Sequence, residues 1–428
     1  MKFLDIDVYQ ALQKRLELVF AEFDNIYVSF SGGKDSSALL YLCLQFMRER
    51  GVQRRLGLFH LDYEAQYTAT TQFVESTYAT LGLTVAPYWC CVPFKVTTCT
   101  SMSQAYWRPW DADKRGLWVR ERPANCLTVD DFPFYDDGLW DYDFQQKFAP
   151  WQHAKVGARK TCVLIGIRAQ ESLNRWRTIA SDRNINKYCG VPWTTKVTDN
   201  VYNAYPLYDW GVEDVWVANA KFNFPYNRIY DLFYQAGVPL NKQRVASPFI
   251  SAGQDALKLY RAIDPDVWGR MVSRVNGVNC TAIYGGTKAM GWKHITKPRH
   301  FTWREYMEFL LGTLPPAAAA NYRDKLETSI KFWRERGGVL SDAAVNDLRG
   351  VGAVFEVGGK TNYKTDKLPV RMEYLDDIDS AEFALIPTYK RMCVCILKND
   401  HLCKYMGFTL TRQEQDKRRA ALEKYQNL

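Results

Sequence analysis

The sequence predicts an α/β protein in which a doubly wound parallel sheet is followed by a mostly helical C-terminal region. In the first third of the chain, short β-rich apolar runs alternate with stretches whose apolar residues recur at helical spacing. A glycine-containing loop separates the first run from the helix that follows, and after Pro206 the periodicity becomes mostly helical. Such alternation is typical of parallel strands joined by right-handed crossovers.

The predicted elements of the sheet follow one another in a regular order. A covering helix is expected at Ile6–Phe23, where apolar residues recur on one face. The predicted strands are Ile26–Phe30, Leu56–Leu61, Leu83–Trp89 and Thr161–Ile167, and the helices between and after them are Ser37–Arg50, Ala69–Leu81 and Gln170–Ala180. The parallel arrangement should bring the carboxyl ends of the strands to one edge, where such sheets bind their ligands.

The chain of 428 residues is long enough for two or three domains, and one boundary is expected near residue 240. Residues 1–240 should form a nucleotide-binding α/β domain. Within it, the segment from about 93 to 150 (Pro93–Pro150) is rich in Trp, Asp, Pro and Arg, lacks a clear period and is interpreted as an insertion near the site. Residues 241–428 should form a mostly helical region of unknown function. The helices predicted after residue 206 are Val212–Phe222, Asn227–Ala236, Gly253–Ile263, Trp303–Leu311, Pro315–Arg336 and Arg412–Tyr425.

Composition favours a cytoplasmic protein. Eleven cysteines scattered along a long chain argue against a disulfide scaffold and for a reducing compartment. No run of about 18 apolar residues is present, so no membrane helix and no membrane partner are predicted. The N-terminus does not resemble a secretory signal. The formal net charge of +9 suits an anionic partner such as a nucleotide or nucleic acid, although a solubility surface explains the same excess.

A phosphate-binding loop is predicted at Ser31–Ser37, which has the sequence Ser-Gly-Gly-Lys-Asp-Ser-Ser between a β-rich run and a helix. Gly32 and Gly33 let a phosphate approach the backbone, and the amides and dipole of the helix N-terminus favour its charge. Lys34 adds a mobile positive charge. The hydroxyl groups of Ser31, Ser36 and Ser37 can donate hydrogen bonds. The alternative is a glycine turn capped by Ser or Asp. The spacing is not that of a Walker A loop.

Residues Ser29–Ser37 resemble the pyrophosphate loop of the adenine-nucleotide α-hydrolase superfamily. This superfamily includes ATP pyrophosphatases, tRNA-thiolating enzymes and the reductases that act on phosphoadenylyl sulfate (PAPS). Later segments extend the resemblance toward the reductases: His60-Leu61-Asp62 at the end of the second predicted strand, Gly166–Ser172 followed by Arg175, and Tyr205–Trp210 followed by Glu213–Trp216. The resemblance implies the doubly wound fold of that superfamily.

The resemblance also implies an adenine-nucleotide site, with ATP or PAPS as the ligand and Mg²⁺ as the accompanying ion. The expected catalytic residues are Lys34, Asp35, Arg168 and Glu171. The expected nucleotide contacts are Ser29, Ser31, Gly32, Gly33, Lys34, Asp35, Ser36, Ser37, Asp62, Arg168, Ser172 and Arg175. Forked guanidinium donors suit phosphate or sulfate oxygens. Asp35 is either a helix cap or a ligand of Mg²⁺, and a structural ion pair between Arg168 and Glu171 is the alternative to their functional roles.

The redox cysteines of the PAPS reductases are missing, so genuine PAPS reduction is disfavoured. The final segment Glu423–Leu428 has no nucleophilic cysteine, and Phe144–Lys160 and Asn241–Asn279 lack the cysteines of the iron–sulfur members. The layout of the whole chain resembles the immunoglobulin-binding regulator A proteins, which are PAPS reductase-like bacterial proteins. That resemblance implies a regulatory or phage-defence context and a ParB-like protein partner.

Two features of the C-terminal region are candidates for binding. The side chains of Cys393, Cys395, His401 and Cys403 could bind Zn²⁺ tetrahedrally, since Cys393 and Cys395 would share one face of a strand, but packing cysteines explain the same residues. The basic tail could contact nucleic acid through Arg412, Lys417, Arg418, Arg419 and Lys424. The acidic residues among them also fit a solvated helix face.

Two functional hypotheses follow. In the first, the protein is an enzyme that binds ATP, or PAPS, with Mg²⁺ and acts at the α-phosphate, releasing pyrophosphate, with sulfur transfer as a following step. In the second, the protein is a non-catalytic regulator whose nucleotide occupancy changes its binding to a ParB-like protein or DNA.

Overall fold

The computed structural model describes residues 5–101, 104–180, 186–250, 257–284, 295–358 and 367–408. The strands are β1 (Asn25–Ser29), β2 (Leu56–Leu61), β3 (Val85–Cys90), β4 (Val96–Thr97), β5 (Tyr106–Trp107), β6 (Thr161–Ile165), β7 (Thr194–Thr198), β8 (Val201–Ala204), β9 (Gly338–Leu340), β10 (Phe355–Val357) and β11 (Leu368–Met372). The helices are α1 (Val8–Glu22), α2 (Lys34–Glu49), α3 (Thr68–Leu81), α4 (Asp141–Val156), α5 (Leu173–Ala180), α6 (Val212–Phe222), α7 (Ile229–Gln235), α8 (Leu257–Ile263), α9 (Pro265–Arg274), α10 (Val278–Tyr284), α11 (Trp303–Thr313), α12 (Pro316–Glu335), α13 (Asp342–Gly350) and α14 (Tyr389–Leu397). The predicted tail helix Arg412–Tyr425 and its basic side chains lie outside the described residues.

Six strands form one sheet in the order β3-β2-β1-β6-β8-β7. The central strand β1 pairs in parallel with both neighbours, and Val28 lies opposite Leu58 on β2 and Leu164 on β6. The chain therefore moves outward from β1 to β3 and then crosses to the other side of β1. This reversal of strand order places a crevice at the carboxyl ends of β1 and β6. The predicted doubly wound α/β class is confirmed.

The edge strand β7 departs from the predicted parallel sheet because it pairs antiparallel with β8. In the turn between them Asn200 has a φ of 62°, a left-handed conformation that asparagine tolerates. The strand β7 contains a single aliphatic side chain, Val197. Its hydrophobic pattern is too weak to indicate a strand, and its position depends on backbone pairing with β8.

Both faces of the sheet are covered by buried apolar residues. One cluster includes Leu12 and Leu16 of α1 together with Leu39 of α2. The cluster on the other face includes Leu257 and Met271, which belong to α8 and α9. Packing therefore associates α8 and α9 with the sheet, although both lie beyond the boundary predicted near residue 240.

The segment predicted as an insertion without a period contains regular structure. It holds the hairpin of β4 and β5, and it ends in α4, which contains Pro150 at an interior position. The buried Phe144 and Phe148 of α4 pack toward the sheet, and the Phe148 ring meets the Tyr27 ring at 5.7 Å. Burial of these rings offsets the loss of one helical hydrogen bond at the proline, so the helix continues past Pro150.

The C-terminal region is mostly helical, as predicted, but it also contains a three-stranded antiparallel sheet in the order β10-β11-β9. One buried cluster joins α11, α12 and α14 through residues such as Leu311, Tyr322 and Met392. A second cluster packs α13 on the small sheet through Leu348 and Val370. In the part of the chain that the structure describes, no helix is long and apolar enough to cross a membrane.

Candidate functional site

The predicted phosphate loop connects the carboxyl end of β1 to the first turn of α2. Gly32 has a φ of 72°, in the left-handed region that favours glycine. A Cβ atom at this residue would lie 2.9 Å from Cγ2 of Val74 on α3. The side-chain amide of Asn227 donates to the Gly32 carbonyl oxygen at 2.9 Å. The loop thus requires glycine at residue 32, and the Asn227 side chain holds its backbone.

Gly32→Ala should lower the free energy of unfolding by about 1–2 kcal/mol through backbone strain alone, and the close approach to Val74 should add to this loss. Gly51→Ala is the matched control, because Gly51 has a φ of 64° but a Cβ there would meet nothing within 4 Å. Thermal denaturation would compare the two variants. Equal losses of stability would contradict the steric requirement at residue 32.

Hydroxyl groups within the loop hold its shape. The Oγ atoms of Ser31 and Ser36 are 3.0 Å apart, and the Ser31 N–H donates to the Ser36 Oγ at 3.1 Å. The Ser37 hydroxyl donates to the Gly33 carbonyl oxygen at 2.8 Å. Ser29 is the last residue of β1 and is partly buried. The hydroxyls predicted to bind phosphate therefore bind the loop itself in this structure.

Lys34 is held inside the protein rather than extended as the mobile charge that was expected. It is 3% exposed, its Nζ donates to the Gln243 carbonyl oxygen at 3.2 Å, and the same atom lies 3.1 Å from Oδ2 of Asp35. Burial lowers the pKa of Lys34, although Asp35 opposes that shift. The backbone N–H of Lys34 donates to the Tyr230 hydroxyl at 2.8 Å.

Arg168 connects the segment after β6 to the first turn of α2. Its buried Nε donates to Oδ1 of Asp35 at 2.5 Å. A Cβ atom at Gly166 would lie 3.0 Å from the backbone of Asp35, so glycine permits this close approach. Both carboxylate oxygens of Asp35 face a cation, since Lys34 contacts the second one. In this arrangement Asp35 does not fit the predicted role of a Mg²⁺ ligand.

Two further arginines surround Glu171, which lies beside Arg168. Arg175 pairs with the Glu171 carboxylate, and Arg244 donates to the Glu171 carbonyl oxygen at 2.9 Å. Partial burial lowers the pKa of Arg175, and the positive charges of Arg244 and Arg168 lower it further. Ser172 is exposed, and its hydroxyl accepts the Arg175 N–H at 3.3 Å.

Positive charge exceeds negative charge at the N-terminus of α2. The cations are Lys34, Arg168, Arg175 and Arg244, and the carboxylates are Asp35 and Glu171. An excess of two positive charges at a helix N-terminus, in the crevice of a parallel sheet, suits a phosphate or sulfate group. The structure therefore brings together five of the predicted charged residues and adds Arg244.

A relative of nearly the same length decides the family of the chain. The chain is 31% identical over 420 residues to the uncharacterized protein YbdN of Escherichia coli strain K12, and the match covers 97% of this chain and 94% of YbdN. The chain belongs to the YbdN family. Residues 25–90 and 128–237 match the phosphoadenosine phosphosulfate reductase domain, and residues 237–417 match a domain of unknown function, DUF3440. The YbdN-family chain thus carries a segment similar to the PAPS reductase domain, as its motifs predicted.

Several solved structures are similar to this YbdN-family chain at low identity. The PAPS reductase of Candida auris is 16% identical, with 58% of this chain and 97% of that chain covered at a TM-score of 0.30. The FMN adenylyltransferase of Candida glabrata is 15% identical, with coverages of 54% and 62% and a TM-score of 0.31. The U34-tRNA thiolase NcsA of Methanococcus maripaludis is 12% identical, with coverages of 65% and 78% and a TM-score of 0.32.

Asp62 is fully buried, whereas the resemblance implied a contact with the nucleotide. Its carboxylate accepts the Trp89 indole N–H at 2.7 Å and the Glu64 backbone N–H at 2.9 Å, and it pairs with Arg120. Burial alone would raise the pKa of Asp62, but Arg120 and His60 outweigh it and the net shift is downward. Because these partners engage both oxygens, Asp62 positions the segment after β2.

The four predicted zinc ligands do not come together. Cys393 and Cys395 lie on α14 rather than on a strand, and residues two apart on a helix point to nearly opposite sides. The Cys393 thiol donates to the Trp303 carbonyl oxygen, and Nε2 of His401 lies 3.4 Å from the Ser101 carbonyl oxygen. Cys395 contacts Cys403. Among the described residues, no group of three His, Cys, Asp or Glu side chains could hold a metal ion.

Three residues of the site were missed in the sequence. Gln243 contacts Lys34 through a backbone carbonyl, which every residue carries, so no sequence signal could have revealed it. Tyr230 lies at a buried position of α7, where an aromatic side chain more often fills a core. Arg244 lies in the short basic segment Lys242–Arg244. This cluster of positive charge is the one sequence signal that could have indicated a residue of the anion site.

Proposed function

We propose that the site binds ATP as its magnesium complex and cleaves it at the α-phosphorus. The observation that carries this proposal is the excess of positive charge formed by Lys34, Arg168 and the two neighbouring arginines at the N-terminus of α2. A compact, multiply charged anion is the ligand that best neutralises such a cluster. The nucleotide-binding, PAPS reductase-like fold supports an adenine nucleotide as the carrier of that anion.

In the proposed reaction, an acceptor oxygen attacks the α-phosphorus while the bond to the bridging β-phosphate oxygen breaks. Pyrophosphate leaves with the bonding electrons, and the acceptor carries AMP. Water as acceptor gives free AMP, whereas an oxygen of a nucleobase or metabolite gives an adenylylated product. In a second step a sulfur donor can attack the carbon that bears this oxygen, and AMP leaves with the oxygen and the bonding electrons. Backbone amides of the loop and the Lys34 ammonium would stabilise the charge that develops on the phosphate oxygens.

Binding would require Lys34 to exchange its contact with the Gln243 carbonyl for a contact with a phosphate oxygen. Burial lowers the pKa of Lys34 in the present arrangement, and a phosphate beside its Nζ would stabilise the charged form. Arg168 would keep the Asp35 carboxylate neutralised, so that it does not repel the anion. Because both oxygens of Asp35 are paired, Mg²⁺ would enter bound to the nucleotide as part of the substrate.

Lys34→Ala should lower the rate of AMP and pyrophosphate formation by about 10²-fold or more, because it removes a charge that acts on the leaving phosphates. The purified chain would be incubated with Mg²⁺ and ATP, and products followed by mass-resolved chromatography. Lys14→Ala, at an exposed position of α1, is the matched control and should keep the unaltered rate. Undiminished product formation by Lys34→Ala would exclude cleavage at this loop.

The identity of the nucleotide is tested by the ratio of two dissociation constants. Arg175 and Arg244 extend the positive surface beyond Lys34, which suits the additional phosphate and sulfate of PAPS. Titration calorimetry at one salt concentration would measure the dissociation constants for ATP and for PAPS. Selective binding of ATP would exclude PAPS as the ligand. Selective binding of PAPS would show that PAPS, and not ATP, is the ligand of the site.

A regulator without turnover is the second candidate function, and the contact between Lys34 and Gln243 favours it. Gln243 lies in the segment that matches DUF3440, so a phosphate that draws Lys34 away would alter a contact with that region. The partner would be a ParB-like protein or DNA. Partner binding would be measured across an ATP titration. Affinity that stays the same at every nucleotide concentration would exclude this function.

A further inference from the structure

Two cysteines lie side by side at the carboxyl end of β3, outside the phosphate site. The segment that carries Cys126 runs along this end of the strand. The Leu127 N–H donates to the Trp89 carbonyl oxygen at 2.7 Å, and the Cys91 N–H donates to the Leu127 carbonyl oxygen at 2.8 Å. These backbone hydrogen bonds bring Cys126 next to Cys91, although the two residues are far apart in the sequence.

The thiols of Cys91 and Cys126 interact with each other and have different surroundings. Cys91 is fully buried, and burial raises the pKa of its thiol well above the usual range. Cys126 is partly exposed, and its pKa is lowered, first by the hydrogen bond with Cys91 and then by the positive charge of Arg122. The exposed sulfur is therefore the better nucleophile of the pair, and the buried one retains its proton.

Cys126 faces a cavity of about 180 Å³ that carries two arginines. The guanidinium carbons of Arg115 and Arg122 each lie 5.8 Å from the centre of the Trp118 ring. Glu121 also lines the cavity, so positive charge exceeds negative charge there. A small anionic molecule is the kind of ligand that this lining would attract to the exposed thiol.

We propose that Cys126 and Cys91 form a redox-active dithiol that exchanges with small anionic disulfides in this cavity. The Cys126 thiolate attacks one sulfur of the disulfide, a mixed disulfide forms, and the first small thiolate leaves. Cys91 then loses its proton and attacks the Cys126 sulfur, and the second small thiolate leaves. The two cysteines lose two electrons and two protons, and the small disulfide is reduced to two thiols that take them up. This activity is independent of the nucleotide site.

Incubation of the full-length chain with glutathione disulfide, followed by peptide mapping without reductant, tests the proposal. We expect a crosslinked peptide that contains Cys91 and Cys126, and release of two glutathione molecules per chain. Cys91→Ser should stop the reaction at a mixed disulfide on Cys126, and Cys126→Ser should give neither product. Cystamine, a cationic disulfide, should react about tenfold more slowly than glutathione disulfide, because the arginines disfavour it.

The exposed Cys189 and Cys280 are internal controls in the same molecule. If exposure alone governed reactivity, glutathione would accumulate on these two residues, and that result would overturn the proposal. Absence of the Cys91–Cys126 crosslink would overturn it as well. The crosslink is measured on the unaltered chain, so the test does not depend on whether the serine variants fold.

Discussion

Arg274→Met should lower the free energy of unfolding by about 3–5 kcal/mol, because it leaves a buried carboxylate without its partner. Arg274, on α9, contacts Glu64 in the turn after β2, with Nε and Nη2 at 2.9 and 3.2 Å from the two carboxylate oxygens. The two side chains are 2% and 0% exposed. Methionine preserves much of the side-chain volume, so the expected loss reports chiefly the missing charge.

The ion pair joins three parts of the chain that are distant in sequence. The Glu64 carboxylate also accepts the backbone N–H groups of Trp110 at 2.7 Å and Val119 at 2.9 Å, and Arg274 donates to the Arg108 carbonyl oxygen. Loss of the guanidinium should therefore loosen the segment between β5 and α4 as well as α9.

Urea denaturation followed by circular dichroism would measure the loss. Arg334→Met is the matched control, because both side chains of the Arg334–Glu373 pair are about half exposed. Such a pair should contribute little to the free energy of unfolding. The double variant Glu64→Gln, Arg274→Met should recover part of the stability, because neither partner then carries an unpaired charge. A loss for Arg274→Met no larger than that for Arg334→Met would contradict the structural role of the pair.

Arg168→Met should weaken ATP binding by about 10–100-fold, the change expected for loss of a hydrogen bond between charged groups. The substitution removes forked donors that could bind a phosphate. It also leaves the Asp35 carboxylate with Lys34 as its remaining cationic contact in the described structure, next to the incoming anion. Both effects act in the same direction.

Titration calorimetry with magnesium and ATP at fixed ionic strength would measure this change, since salt screens contacts between charges. Arg159→Met is the control, because the Arg159 side chain is 90% exposed and contacts Asp24 away from the loop. Arg168→Lys should give an intermediate affinity, because lysine keeps the charge and loses the fork. Unaltered affinity in a folded Arg168→Met variant would remove Arg168 from the site.

Much of the sheet could be predicted because its signals are local. The strand β2 and the helix α6 have the predicted boundaries, Leu56–Leu61 and Val212–Phe222. A buried parallel strand needs a continuous apolar run, and a covering helix needs an apolar face, and both patterns are complete within one segment. The glycine at residue 32 is equally local, because the loop needs a positive φ at that position.

The sequence by itself therefore determined the fold class, the similarity to the PAPS reductase domain and the position of the glycine loop between β1 and α2. Only the tertiary structure decided that Lys34 is held by Gln243, that Asp62 is buried against Arg120, and that the C-terminal cysteines diverge on a helix. It also decided that Cys91 and Cys126 are neighbours. The physical reason is that these features depend on contacts between residues far apart in the sequence. Local periodicity specifies which face of an element is buried, but it does not specify which partner that face meets.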